Sequence, residues 1–421
     1  MTISLALSET YSKNRDDLRA LLLRQYPSFV YRSCREIELG EIPVFAFHSV
    51  LPDRFESQMA YLANNGYRTL DADGLLNILR GRRPPGRNTV VLTFDDGRSS
   101  LWATAYPTLK KYGLQAIAFI VPCRIRETDD TKPLFNDLQA GHSESVPARQ
   151  RNLTEPFVTW NEIRAMHRSG VIDFQSHTSW HHSVYVSQRM VDFANPGLRG
   201  SFLTGSLDPV VRRDGRDVVP ECIDWGSPIY EWAANAGSER RYLEDEDLTR
   251  ILTNHVQENG GTRFFNRPGW RKSLQTLAGK FESRNGPAGR FQSAEERYAD
   301  IYGDLLESKR LIEEKLGKRV SHLCYPWYRG SEMAVRASKA AGYESNHWGV
   351  VRSRAINRVN DDPYYVARMI DDYLFLLPGK GRRTLRRVLA ERARQILGKR
   401  LRKRQLGGSA TSANTRPSRD A

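Results

Sequence analysis

Val90-Val91-Leu92-Thr93-Phe94-Asp95-Asp96-Gly97 is the stretch on which the reading of this chain turns. Its first five residues are apolar or β-branched and read as a buried strand. Two carboxylates and a glycine follow at the point where such a strand stops. Neighbouring side chains in a strand point to opposite faces, so the second Asp cannot simply repeat the first. A turn at Gly97 can bring both into one pocket with different roles. A metal hydrolase needs that division: one carboxylate holds the ion, another takes a proton from water. Asp-Asp-Gly alone is also an ordinary turn, so it needs a second feature beside it.

That feature lies downstream. Val171-Ile172-Asp173-Phe174-Gln175-Ser176 is another short strand, and it runs into His177-Thr178-Ser179-Trp180-His181-His182. Three of the nine histidines fall within these six residues. The i, i+4 spacing of His177 and His181 lets one helical turn or a tight loop aim both imidazoles at one ion. Two imidazoles and a carboxylate suit Zn, Co, Ni or Fe(II) and leave positions for water and substrate.

These segments resemble the polysaccharide deacetylase family, the NodB-homology carbohydrate esterases. The family's first motif, TFDDG, stands unchanged at residues 93–97, and its second, SHxxxH, at residues 176–181. Its third, an Arg-x-Pro-aromatic segment, corresponds to Leu323-Cys324-Tyr325-Pro326-Trp327, with Cys324 where the arginine would stand. The arginine that orients the catalytic Asp thus has no counterpart in that motif. The resemblance covers residues 40 to 372. Upstream, Ile42-Pro43-Val44-Phe45-Ala46-Phe47-His48-Ser49 is a strand ending in His-Ser, followed by an amphipathic helix from Phe55 to Leu62. This layout resembles the branch that deacetylates exported poly-glucosamine polymers, in which the barrel is circularly permuted and an N-terminal His replaces a C-terminal Leu-x-x-His. No Leu-x-x-His occurs in the last third of this chain.

The resemblance implies removal of N-acetyl groups from an amino sugar or polysaccharide by one divalent metal, Zn before Co or Ni. It implies Asp96, His177 and His181 as ligands, with His182 as an alternative, and Asp95 as base. His48 is the general acid, expected across the pocket from Asp95 with the metal between them, and His347 is its reserve. Tyr325, Pro326 and Trp327 bind substrate, with the Tyr325 backbone N–H receiving the oxyanion and Trp327 walling the acetyl pocket. Cys324 is read as packing. Two other classes stay open: a related metal hydrolase acting on another non-peptide C–N bond, and a non-catalytic, membrane-docking protein that keeps the metal site.

Strands alternate with helices throughout. Gln115 to Val121 reads as a strand after a helix from Leu101 to Tyr112. Thr159-Trp160-Asn161-Glu162 and Ser293-Ala294-Glu295-Glu296 are capping boxes that open helices. Val320 to Tyr325 returns as a strand and Ser331 to Ala341 as a helix. Repeated βα units with function at the strand C-terminal ends predict a β/α barrel. The resemblance makes it an irregular seven-stranded one, circularly permuted. The expected plan is an extension over 1–39, a barrel over 40–378, a basic amphipathic helix over 379–406 and a disordered tail over 407–421. Insertions fall at 124–156 and 183–292. The second carries Trp225, Tyr230, Trp232, Phe264, Phe265 and Trp270, read first as anchors of a long loop and second as a wall for sugars.

The 421 residues carry a net charge of +15. Residues 382–404 hold eleven Lys or Arg and one acid, with Leu385, Val388, Leu389, Ala393, Ile396 and Leu397 at helical spacing. Such a helix either packs its apolar stripe on the barrel or lies on an anionic membrane surface. No aromatic interleaving accompanies it, so nucleic acid is not an expected partner. Four scattered cysteines form no CxxC, which suits a reducing compartment. The N-terminal apolar run is short and lacks a basic lead. The expectation is therefore a cytoplasmic protein, with peripheral membrane contact through residues 382–404 as the second option.

Overall fold

The computed structural model describes residues 16–134, 157–198, 210–214, 216–218, 223–351 and 354–394. Seven parallel strands form its centre: β1 (Val44–Phe47), β2 (Thr89–Asp96), β3 (Ala116–Ile120), β4 (Ile172–Ser176), β5 (His322–Cys324), β6 (Ser345–His347) and β7 (Met369–Ile370). They are hydrogen-bonded in the order β6-β5-β4-β3-β2-β1-β7. Val366, just ahead of β7, makes a parallel bridge to His347 of β6. The segment 366–370 therefore joins both ends of the curled sheet, which is the irregular seven-stranded (β/α) barrel expected.

The strands are buried on both faces, as a parallel sheet covered by helices requires. Ile42, Val44, Val91, Ile117, Phe119 and Cys324 pack in one cluster with the Leu75–Leu79 side of a neighbouring helix. Phe45, Phe47, Leu92, Phe94, Ala118 and Phe174 point the other way, into the larger core beneath the outer helices.

Those helices are α1 (Pro52–Asn64), α2 (Ala72–Leu79), α3 (Trp160–Arg168), α4 (Ala294–Leu316) and α5 (Glu332–Ala340). Thr159 and Ser293 close complete capping boxes with Glu162 and Glu296, and Gly317 ends α4 in the left-handed conformation. The predicted helix from Leu101 to Tyr112 is not uniform. Leu101–Ala105 is a π-turn and Tyr106–Lys111 is α-helical. Pro107 lies at the junction and has no N–H for the ladder, so the turn widens there.

The 183–292 insertion is more than a long loop. Ser183–Phe193 and Pro228–Ala234 pair as an antiparallel ribbon, and helices span Glu246–Glu258 and Trp270–Asn285. Its aromatics serve its own packing. Tyr230 sits in one cluster with Tyr185 and Tyr242, and Phe264, Phe265 and Trp270 belong to another. Both clusters are built from residues of the insertion.

The basic C-terminal helix is described over 385–394. Val388 is buried, and Leu385 and Leu389 pack against the main core. Arg392 bonds Asp17 at 2.5 Å, and Arg383 and Arg387 share Glu391. In this part the apolar stripe lies on the barrel, so the face that a membrane would need is already used. Residues 395–406 and the 407–421 tail lie outside the described residues. No helix among the described residues is long and apolar enough to cross a membrane.

Candidate active site

The site forms at the C-terminal ends of β2, β4 and β5, where barrel loops gather side chains from different strands. Strand β2 delivers both acids. Asp95 is extended and points inward, whereas Asp96 takes a left-handed φ of 73° and Gly97 one of 74°. The left-handed residue breaks the strand alternation and lets two consecutive carboxylates share one pocket. A Cβ on Gly97 would also stand 3.2 Å from Ile120, so the glycine serves conformation and space together.

The histidines come from a loop, not a helix. Thr178 and His181 both have positive φ, 65° and 52°, and the His181 N–H donates to Thr178 Oγ1 at 3.2 Å. This tight turn places both imidazoles on one carboxylate oxygen. Asp96 Oδ1 is 3.5 Å from His177 Nε2 and 3.5 Å from His181 Nε2. The other oxygen, Oδ2, accepts from Arg98 Nε at 2.9 Å. Left-handed non-glycine residues cost energy and concentrate where function requires them; Asp96, Thr178, His181, Trp327 and Tyr328 are five of them, all at this site.

The donor set fits a divalent ion. His177 Nδ1 lies 2.9 Å from the Cys324 carbonyl. Because a carbonyl only accepts, that contact puts a proton on Nδ1 and leaves Nε2 as the nitrogen that faces Asp96. Burial pushes His181 down to about 3, which keeps its ring neutral. Burial alone would raise the Asp96 pKa, but His177, His181, His48 and Arg98 outweigh it and hold the carboxyl well below the usual range. One atom from each of Asp96, His177 and His181 lies within 4.8 Å of the others, a span that one ion can bridge.

Asp95 is held differently. Arg368 Nη1 reaches Oδ1 at 2.7 Å and Nη2 reaches Oδ2 at 2.9 Å, with both residues almost wholly buried. Burial works to raise the Asp95 pKa; Arg368, with His177 and His48, reverses this and holds the carboxyl well below its ordinary value. The Cys324 thiol lies 3.8 Å from Asp95 Oδ1. Cys324 does stand where the motif's arginine was missing, and the guanidinium arrives instead from the segment leading into β7.

The remaining site residues divide. His48 Nε2 is 3.8 Å from Asp95 Oδ2, so it stands beside the base and not opposite it. Its ring meets Tyr328 edge-on at 5.9 Å. Trp327 packs on His181 with ring centroids 4.4 Å apart, which suits a pocket wall. Tyr325 does not line the pocket. Its backbone N–H donates to the His347 carbonyl at 3.1 Å, because the β5–β6 ladder runs one residue past Cys324, so that N–H is spent before any oxyanion forms. Its side chain is fully buried and its hydroxyl accepts from Asn346. Pro326 is also buried, where it starts the short turn that carries Trp327. His182 faces away from the ligand cluster into a separate cavity. His347 is buried inside the barrel against Phe119, and burial holds it well below its ordinary pKa. Neither reserve assignment stands.

Sequence reading missed three residues here. Arg368 is the basic residue within Val366-Ala367-Arg368-Met369-Ile370, and a buried arginine demands a carboxylate; that was the available signal. Arg98 directly follows the first motif. Tyr328 lies under the Arg368 guanidinium, 4.8 Å from ring centroid to Cζ, and nothing in its spacing marked it.

A β/α barrel with two imidazoles and one carboxylate at its strand ends presents a metal-type site. Residues 82–194, which hold both aspartates and both ligand-spaced histidines, match the polysaccharide deacetylase family model. The chain is 29% identical over 262 residues to a poly-β-1,6-N-acetyl-D-glucosamine N-deacetylase of Escherichia coli O157:H7, covering 62% of this chain and 34% of that protein. It is 26% identical over 137 residues to the enzyme of the same name from Staphylococcus aureus (strain MRSA252), covering 32% of this chain and 39% of the relative. The matched stretch thus spans about a third of the length of these relatives. Among solved structures, a deacetylase domain from Bordetella bronchiseptica superposes with a TM-score of 0.46 at 17% identity, covering 79% of this chain and 96% of that one.

Proposed function

We propose that this chain is a metal-dependent hydrolase that removes N-acetyl groups from an amino-sugar polymer of the poly-N-acetylglucosamine type. One observation carries the reading: Asp96, His177 and His181 converge within ligand distance of one another beside a second aspartate clamped by a buried arginine. The names of the relatives support the substrate class. The case for another C–N bond rested on a missing arginine, and Arg368 removes that reason.

Asp96, His177 and His181 would hold the ion, which when bound acidifies a water and polarises the acetamide carbonyl. Arg368 aims Asp95 and keeps it ionised, so it accepts rather than donates when water attacks. A carboxylate held this low is a weak base, which matches it to an acidified water and not to a bulk one. His48, 3.8 Å from Asp95 Oδ2 and partly open to solvent, protonates the leaving amine. Trp327 bounds the acetyl group, and the buried floor of the site excludes bulk water.

Alanine at Asp96, His177 or His181 should lower the metal retained after dialysis, read by elemental analysis. Release of acetate from N-acetylglucosamine oligomers should fall in parallel. Full metal occupancy in all three variants would end the reading.

A further inference from the structure

The loop that supplies the histidines has a second face. Trp180 and His182 flank His181 in sequence and turn into a separate cavity of about 190 Å³. Its other walls are Val210, Asn235 and Arg241 from the insertion and Asp300, Asp304 and Glu307 from α4. It is too small for a whole extended ligand and fits one ring of a longer one. Trp180 is one of few large apolar side chains left exposed, at 36%. An exposed ring beside amide, imidazole and carboxylate groups offers the apolar face and polar rim that a sugar requires.

Charge narrows the choice of sugar. The protein as a whole carries +15, yet this cavity holds three carboxylates against one guanidinium, Arg241, which is bound to Asp300 at 2.8 Å. Asp304 has a structural task as well: it accepts the Ser179 N–H at 3.0 Å and so fixes the loop. That task does not need Glu307 or Asp300. Burial also pushes Asp304 up to about 6 against the hydrogen bonds of Ser179 and Asn235 and the charge of Arg297, and a cation placed beside it would favour its ionised form.

Resting on the deacetylase reading, we propose that this cavity is a subsite for an amine-bearing sugar unit, one already de-N-acetylated, next to the unit being hydrolysed. The ammonium would meet Asp300, Asp304 and Glu307 while the ring lies on Trp180. The consequence is a preference for chains that already carry a free amine beside the reacting acetamide.

The test uses the full-chain protein. Binding of a β-linked glucosamine oligomer is measured by calorimetry, beside a glucose oligomer of equal length that lacks the amine. The amine oligomer should bind more tightly, and the difference should shrink as salt rises. Glu307→Gln and Trp180→Ala should each weaken amine-oligomer binding by roughly tenfold, the worth of one charge-assisted contact. Equal binding of both oligomers, or undiminished binding in both variants, overturns the proposal. Turnover separates the two readings. If acetylated oligomers are not hydrolysed at all, the deacetylase reading falls and the binding result still decides the cavity. If they are hydrolysed, but a neighbouring free amine does not change kcat/KM, the subsite alone falls.

Discussion

The ends of β2 and β5 meet at one pocket but carry their information differently. At the end of β2, residues adjacent in sequence carry the proposed roles: Asp95 as base, Asp96 as ligand, Gly97 as the turn and Arg98 as the clamp on Asp96. At the end of β5, the expected arginine is absent, Tyr325 is consumed by the sheet, and Trp327 and Tyr328 reach the pocket. The guanidinium comes from Arg368, 273 positions beyond its partner Asp95. The candidate constellation is therefore assembled as geometry and not as a string. Any strand whose end faces the same cavity can supply a group, because the barrel brings all the C-terminal ends to one rim.

The sharpest way to break that contrast is Arg368→Ala. It strands a buried carboxylate without its counter-charge, which costs about 3–5 kcal/mol, and it should abolish most turnover as well. Urea denaturation measures the first and acetate release the second. The pH dependence has a defined sign. In the native protein Asp95 is held below its unfolded value, so its contribution is present above about pH 4 and is lost as the pH falls further. Without Arg368, the burial that raises the Asp95 pKa is opposed only by His177 and His48. The stability deficit of the variant should then be largest near neutrality and narrow as the pH falls towards 4. A deficit that does not vary with pH would mean that Arg368 acts through packing.

Next in size is Asp95→Asn. The amide keeps the shape and leaves the ligand set alone, so metal content should hold while kcat falls by on the order of a hundred- to ten-thousand-fold. Loss of metal would instead make Asp95 a ligand and merge two roles that the left-handed Asp96 keeps apart.

His48→Ala should act more selectively. It should remove the limb of the pH–rate profile that reports a group needing to be protonated, with metal content intact. His347→Ala should leave that limb in place, since its ring is sealed inside the barrel. The reverse result would return the acid to the barrel interior.

The smallest effect is expected at the point where the motif departs. Cys324→Ser should change stability by about 1 kcal/mol or less and leave the pH profile alone, because a buried thiol here fills space beside Asp95. A large loss of activity would show that the cysteine, and not only Arg368, replaces the motif's arginine.

What the sequence determined by itself is local. Strand periodicity, both capping boxes, the TFDDG turn and the SHTSWH spacing are interactions among residues a few positions apart, and these singled out Asp95, Asp96, His177 and His181, which the fold brings together. The insertion was legible as an excess of length, but not as a ribbon and two helices with their own cores, because the pairing of residues 183–193 with 228–234 spans too many positions to leave a short-range pattern. The spent N–H of Tyr325, the neutral seclusion of His347, the cavity behind Trp180 and the arrival of Arg368 at Asp95 belonged to the tertiary structure alone. Each depends on which strand lies beside which when the sheet curls, and on what burial then does to a charge or an N–H. Only closure of the barrel decides those quantities.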